Sequence, residues 1–142
     1  MAKRPRDQVT RTPGYLVSWF LGYFNHMSRY EDLKVYQRAI DLVVGIYQFT
    51  KSLPDEEKFG LIDQIRRSAT SIPLNIAEGS SSSSKRVFNR YLEMSLGSGY
   101  ETKTILTICQ RLSYGNKELM GKLLSELDEI IAMIKGLMKT LK

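Results

Sequence analysis

The serines at positions 80–84 open directly onto Lys85 and Arg86, with Arg90 one helical turn further on. Serine suits a helix N-cap, because its hydroxyl accepts from the free N–H groups of the first turn. Lysine and arginine do not suit that turn: they oppose the positive end of the helix dipole, and a bound anion would absorb both charges. Ser84, Lys85, Arg86 and Arg90 are therefore the first candidates for phosphate binding, against the plainer reading of a solvated loop and a soluble helix start. A second basic pair, Arg66 and Arg67, stands just outside an apolar stripe, and Arg67 begins a file with Ser71, Asn75 and Glu78 at spacings of three and four. Two guanidinium groups there suit phosphate or a carboxylate such as Glu78 or Glu101, within the chain or across subunits.

Enzyme chemistry is not represented. The one histidine, His26, and the one tryptophan, Trp19, fall in the N-terminal leader, so no Ser-His-Asp or Cys-His arrangement can be assembled around them. No Glu-x-x-His pair exists for a di-iron bundle. Gly97 and Gly99 fall inside a helical pattern with no strand before them, unlike a phosphate-cradling loop or a dinucleotide fingerprint. Cys109 has no Cys or His nearby; at an apolar helical position it is expected to be an inert core thiol in a reducing cytoplasm. No catalytic residue, metal or cofactor is expected.

The chain has 142 residues, 42% of them hydrophobic, enough for one domain with a real core. Its 21 Lys and Arg against 15 Asp and Glu give a net charge of +6, which hints at an anionic partner. Half of that excess sits in the leader, where Lys3, Arg4, Arg6 and Arg11 face only Asp7. The remainder of the chain is mildly basic.

Residues 1–27 read as a leader: a basic opening, then YLVSWFLGYF at 15–24. That apolar run is far short of the ~20 residues needed to span a bilayer, and no membrane partner is expected. The leader is expected to be an upstream extension or a cloning remnant, disordered or loosely docked. Residues 28–142 form the domain, in which four helical patterns follow one another at about 31–53, 58–78, 85–112 and 117–141. In the first, Leu33, Tyr36, Ile40, Val43, Tyr47 and Thr50 give a heptad seam, flanked by a second apolar line of Val35, Leu42, Ile46 and Phe49. A face so wide implies deep burial or contact with another subunit. Pro54 closes that helix, and Asp55, Glu56 and Glu57 suit the next helix start.

The second pattern carries Ile62, Ile65, Ala69, Ile72 and Ile76 on one face, with Pro73 inside it and Gly79 at its end. Pro73 has no N–H and crowds the carbonyl of Ala69, so a kink is expected there, and Gly79 is expected to stop the helix. The third, with Phe88, Tyr91, Ser95, Ser98, Thr102, Ile105, Cys109 and Leu112 in register, is small in the middle and admits a neighbouring backbone near Pro73. Gly115 and Asn116 mark the last turn. The fourth has Met120, Leu123, Leu127, Ile130, Ile134, Leu137 and Leu141 in heptad register. The expected fold is an all-α, antiparallel up-and-down four-helix bundle with a proline-kinked second helix.

The strings SIPLNIAEG (71–79), FGLIDQIRR (59–67) and YEDLKVYQRAIDL (30–42) together resemble the four-helix-bundle family encoded in intervening sequences of bacterial 23S ribosomal RNA genes. The resemblance runs over roughly 29–142 and rests on Ser71, Pro73, Asn75, Glu78 and Gly79 as structural signature residues. Gly97, Ser98 and Glu101 also fit the family pattern, whereas Gly99 and Thr102 stand where larger apolar residues are usual. The resemblance implies a ring-like pentamer and a structural or nucleic-acid-associated module in place of an enzyme. The fold also looks similar to retroelement accessory bundles that assist a reverse transcriptase.

The function expected is therefore a non-enzymatic, oligomeric bundle that binds structured RNA, or DNA, through a basic surface. Two alternatives stand beside it: an accessory protein-interaction module, such as a reverse-transcriptase partner, and a purely structural oligomer.

Overall fold

The computed structural model describes residues 30, 31 and 33–142. The leader, residues 1–27, lies outside the described residues, and so do the expectations placed on it. Four α-helices follow in order with no strand among the described residues: α1 Lys34–Thr50, α2 Leu61–Ser80, α3 Lys85–Arg111 and α4 Lys117–Thr140, with a 3-10 turn at Asp55–Glu57. Each helix packs on its neighbours in sequence, and α1 closes the ring on α4 with no close backbone approach across either diagonal. The core is shared by all four, with Phe49, Ile65, Ile72, Leu92, Leu106, Leu127 and Ile130 removed from solvent.

Helix starts follow local chemistry. Ser84 accepts from the Val87 N–H at 3.3 Å and Asn116 from the Leu119 N–H at 2.9 Å, so α3 and α4 open on the caps expected of them. Helix α2 starts later than its sequence pattern, because the acidic run folds into the 3-10 turn and Gly60, with no side chain to cap with, takes the N-cap position. Glu57 makes up for this in part: its Oε2 accepts from the Leu61 N–H at 3.2 Å. Between α3 and α4 the chain turns through Ser113 at φ 56° and Gly115 at φ 82°, the latter packed under Phe49 and Leu53.

Gly79 does not stop α2, which runs on to Ser80. A Cβ at Gly79 would lie 2.6 Å from the Tyr91 Cβ and 2.8 Å from the Phe88 Cδ2. The residue is glycine because α3 comes that close. Pro73 is buried inside α2 without interrupting it, and leaves the Ala69 carbonyl without its helical donor.

In α1 the two apolar lines exchange roles. Val35, Ala39, Leu42, Ile46 and Phe49 are the core line, while Ile40 and Tyr47 of the expected seam are exposed and Leu33, Tyr36 and Val43 half-buried. Two adjacent lines have equal helical periodicity, and only the positions of α2 and α4 decide between them. Helix α3 shifts in the same sense: Leu92 and Leu106 are buried, whereas Leu112 is exposed. In α4 the line from Met120 to Ile134 is buried as expected, with Leu137 and Leu141 half-buried.

A hydroxyl seam joins α2 to α3. Ser95 Oγ donates to the Ile72 carbonyl, the Ser98 and Ser71 hydroxyls meet, and Thr102 Oγ1 reaches Ser68 Oγ, each at 2.9 Å. The α2 partner number falls as the α3 number rises. Gly99 faces the other way, where its missing Cβ would stand 3.2 Å from Ile131 of α4. Small residues at 99 and 102 thus serve two different neighbours at one level of the bundle.

Candidate nucleic-acid interface

The candidate basic residues fall into two groups. Arg66 and Arg67 sit in the second turn of α2, and about 13 residues of helix, or ~20 Å at 1.5 Å per residue, separate them from the α3 start. They belong to different surfaces.

At the start of α3 the side chains splay around the tip. Arg86 and Arg90, four apart, line a shallow groove with Ser84, Val87, Asn89 and Glu93. Lys85 lies on the other flank, in a concavity shared with Leu33, the serines Ser80 and Ser82–84, Phe88 and Leu141. Lys85, Arg86 and Arg90 form no ion pair with any described residue, and their helix end carries the positive pole of the dipole. Ser84 is occupied as the cap. Asn89 donates to Glu93 at 3.4 Å while its own Oδ1 is buried without a partner.

The concavity holding Lys85 is walled by the start of α1, the end of α2, the start of α3 and the end of α4. Those ends bring Lys34, Lys139 and Lys142 to the same pole, all exposed, against the carboxylates Glu31, Glu78 and Glu93. The opposite pole differs: Lys51, Lys58, Arg111 and Lys117 are interleaved there with Asp55, Glu56, Glu57 and Glu118. Sequence reasoning found the α3 part of the basic pole and missed the rest. The signal was the charge bias of the last turn of α4, visible once that turn is placed beside the serine loop.

Arg66 takes neither Glu78 nor Glu101. Its Nε donates to Thr50 Oγ1 at 3.0 Å and its guanidinium lies 4.4 Å from the centre of the Tyr47 ring. Arg67 is exposed, with Asp63 at 3.9 Å as its one ion-pair partner among the described residues. Of the polar file, Asn75 is buried and donates to the Ser71 carbonyl and hydroxyl at 2.8 and 2.9 Å, whereas Glu78 is exposed. Ser71 and Asn75 therefore belong to the hydroxyl seam. The charged arrangement that sequence reasoning missed altogether is Arg38, whose guanidinium grips Glu126 at 2.8 and 2.9 Å and also pairs with Glu129, tying α1 to α4.

Among the described residues no group of side chains could hold a metal ion, and no helix is long and apolar enough to cross a membrane. Burial, and to a lesser extent the nearby Glu57 charge, push the Cys109 thiol pKa up, away from the reactive thiolate.

Among the described residues, fold and surface together define a four-helix, all-α domain with one basic pole. The family model for 23S rRNA-intervening sequence proteins matches residues 31–136, and the chain belongs to that family. Among solved structures it is similar to a protein of unknown function from the S23 ribosomal protein family of Bacteroides thetaiotaomicron VPI-5482. That similarity has 29% identity and a TM-score of 0.68, covering 74% of this chain and 98% of the other. Comparison with curated proteins gave no match.

Proposed function

We propose that this protein is a non-enzymatic module that binds structured RNA through its basic pole and works as a cytoplasmic homo-oligomer. The observation that carries this reading is the tip of α3, where Lys85, Arg86 and Arg90 stand at a positive helix end with no carboxylate paired to them. Lys34, Lys139 and Lys142 add to it from two other helices. Binding of this kind rests on phosphate contacts and counterion release and reads little sequence. Association would multiply one modest pole into a dense one, and five subunits, the number the family resemblance implies, would set several poles side by side.

The same reading takes the bundle as antiparallel and up-and-down, supported by the falling partner numbers along the α2–α3 seam. It also takes α2 as bent at Pro73, supported by the Ala69 carbonyl that lacks its helical donor.

The test is a titration of labelled 23S fragment RNA at low and moderate salt. Replacing Lys85, Arg86 and Arg90 by alanine should weaken binding and reduce the slope of log K against log salt by roughly 0.7–0.9 for each phosphate no longer neutralised. Unaltered affinity and slope would remove this site, and no binding by the unmodified protein at low salt would remove the reading.

A second reading, an accessory module that docks a protein such as a reverse transcriptase, is favoured by one observation. Ile40, Val44 and Tyr47 of α1 and Leu74 of α2 are exposed large apolar residues.

A further inference from the structure

We propose that the apolar line on the outside of α1 is the seat of this chain's own leader, and that residues 15–24 cover it. Tyr36, Ile40, Val44 and Tyr47 follow one another along α1 at spacings of three and four; Tyr36 is half-buried, and the other three are 39%, 54% and 43% exposed. Leu74 of α2 is 59% exposed, and Tyr47, Arg66, Arg67, Thr70 and Leu74 line one shallow groove. The helical period gives α1 two apolar lines, and the core uses only one of them.

The first described residues direct the leader to this line. The Tyr30 carbonyl accepts from the Leu33 N–H at 3.1 Å, making a turn just before α1. The Tyr30 ring meets the Tyr36 ring edge-on with centres 5.1 Å apart, and the Glu31 carbonyl accepts from Gln37 Nε2 at 2.8 Å. Tyr30 and Glu31 are thus folded back onto the first turn of α1, where the outer line begins. Chain that joins at Tyr30 is delivered beside Tyr36, and Ile40 is one turn further along.

Length and composition identify the occupant. Residues 15–24, YLVSWFLGYF, are hydrophobic except for Ser18 and Gly22, and Tyr15, Trp19, Phe20, Tyr23 and Phe24 are aromatic. From Ile40 to Tyr47 the line runs about 10 Å at 1.5 Å per residue. Ten residues cover that distance whether helical, at ~15 Å, or extended, at ~33 Å, and residues 25–29 supply a link of up to ~17 Å. Aromatic rings suit a stripe bordered by the Arg66 and Arg67 guanidinium groups, the first of which already lies over Tyr47. The leader's own cations, Lys3, Arg4, Arg6 and Arg11, all precede the apolar run, so none of them has to lie against those arginines. Tethering presents the run to its seat at an effective concentration on the order of millimolar, ahead of a partner in free solution. The exposed Met94 and Ile108 are a poorer seat, because α3 makes no close backbone approach to α1, where the tether ends.

Trp19 is the one tryptophan of the chain, so selectively excited tryptophan fluorescence reports the leader alone. In the full chain its emission should lie to the blue of that of a free 12–27 peptide, with acrylamide quenching reduced severalfold, at every protein concentration. Val44→Asp and Leu74→Asp, both at exposed positions, should each return emission and quenching toward the peptide's values with helical circular dichroism unchanged, whereas Met94→Asp should not. Emission equal to the peptide's would overturn the docking and leave the face to a partner protein. A blue shift indifferent to both seat variants, or abolished by Met94→Asp, would overturn the seat. A blue shift lost on dilution would assign the contact to the leader of a second copy and overturn the intramolecular one.

Discussion

Ser95 donates from Oγ to the carbonyl of Ile72 at 2.9 Å, joining the middle of α3 to the residue just before Pro73. Both residues are fully buried, so this bond and the small side chain that makes it set how near the two helices lie. Ser95→Ala should cost about 1 kcal/mol, the net worth of a buried hydrogen bond. Ser95→Leu should cost more, by ~1–3 kcal/mol of overpacking. Urea unfolding of the three proteins gives the order; a leucine variant as stable as the serine protein would mean that α3 has room to withdraw.

Glycine-to-alanine changes should have opposite signs at two helix positions. At Gly136 nothing lies within 4 Å of the missing Cβ, so alanine should stabilise α4 by about 1 kcal/mol through helix propensity. At Gly79 the same methyl would meet Tyr91 and Phe88 under 3 Å, and packing strain should outweigh propensity by ~1–3 kcal/mol. Thermal midpoints should move up for the first and down for the second.

The grip of Arg38 on Glu126 predicts an acid dependence. The hydrogen bond from Arg38 holds the Glu126 carboxyl below the usual glutamate range, helped by the guanidinium charge and opposed by partial burial. A carboxyl with a depressed folded pKa stabilises the fold above its unfolded value of about 4.3, and the contribution fades as pH falls through the lower folded value. Glu126→Gln should therefore be less stable than the parent at neutral pH. The gap should shrink below about pH 4. Urea midpoints across that range check it; a constant gap would mean that the pair's charge is not responsible.

Cys109, with no exposed surface, should not react with a thiol reagent in the folded protein at mildly alkaline pH. In urea it should react fully. Rapid modification of the folded protein would show α3 opening far more readily than its core position allows.

Lys34, Lys139 and Lys142 extend the basic pole beyond α3. Their joint replacement by alanine should weaken RNA binding further when added to the change at Lys85, Arg86 and Arg90, with a second drop in salt slope. Fluorescence anisotropy over a salt series reads both. Weaker affinity at an unchanged slope would indicate contacts other than phosphate.

The architecture was legible because four apolar stripes separated by Pro54, the serine loop and Gly115-Asn116 leave few ways to bury themselves. What misled was choice among equivalents. In α1 periodicity cannot say which of two neighbouring lines turns inward, and the answer depends on Gly45, whose missing Cβ makes room for Leu123 of α4. Gly79 has the sequence context of a helix stop, yet its role follows from Phe88 and Tyr91, residues on the next helix. The candidate site was half legible. Lys85, Arg86 and Arg90 announce themselves by standing at the wrong end of a dipole, whereas Lys34, Lys139 and Lys142 are ordinary surface residues until the fold gathers the helix ends. By its sequence context Arg66 wants an anion; an aromatic ring and a threonine hydroxyl, both from α1, satisfy it in part.

The uneven placement of charge between the two poles gives the molecule a long-axis electrical polarity. A polyanion encountered in solution would turn the bundle like a compass needle and receive it tip first, a torque that weakens as salt shortens the reach of the field. Landing in that posture would leave the flanks of the bundle clear of the polyanion.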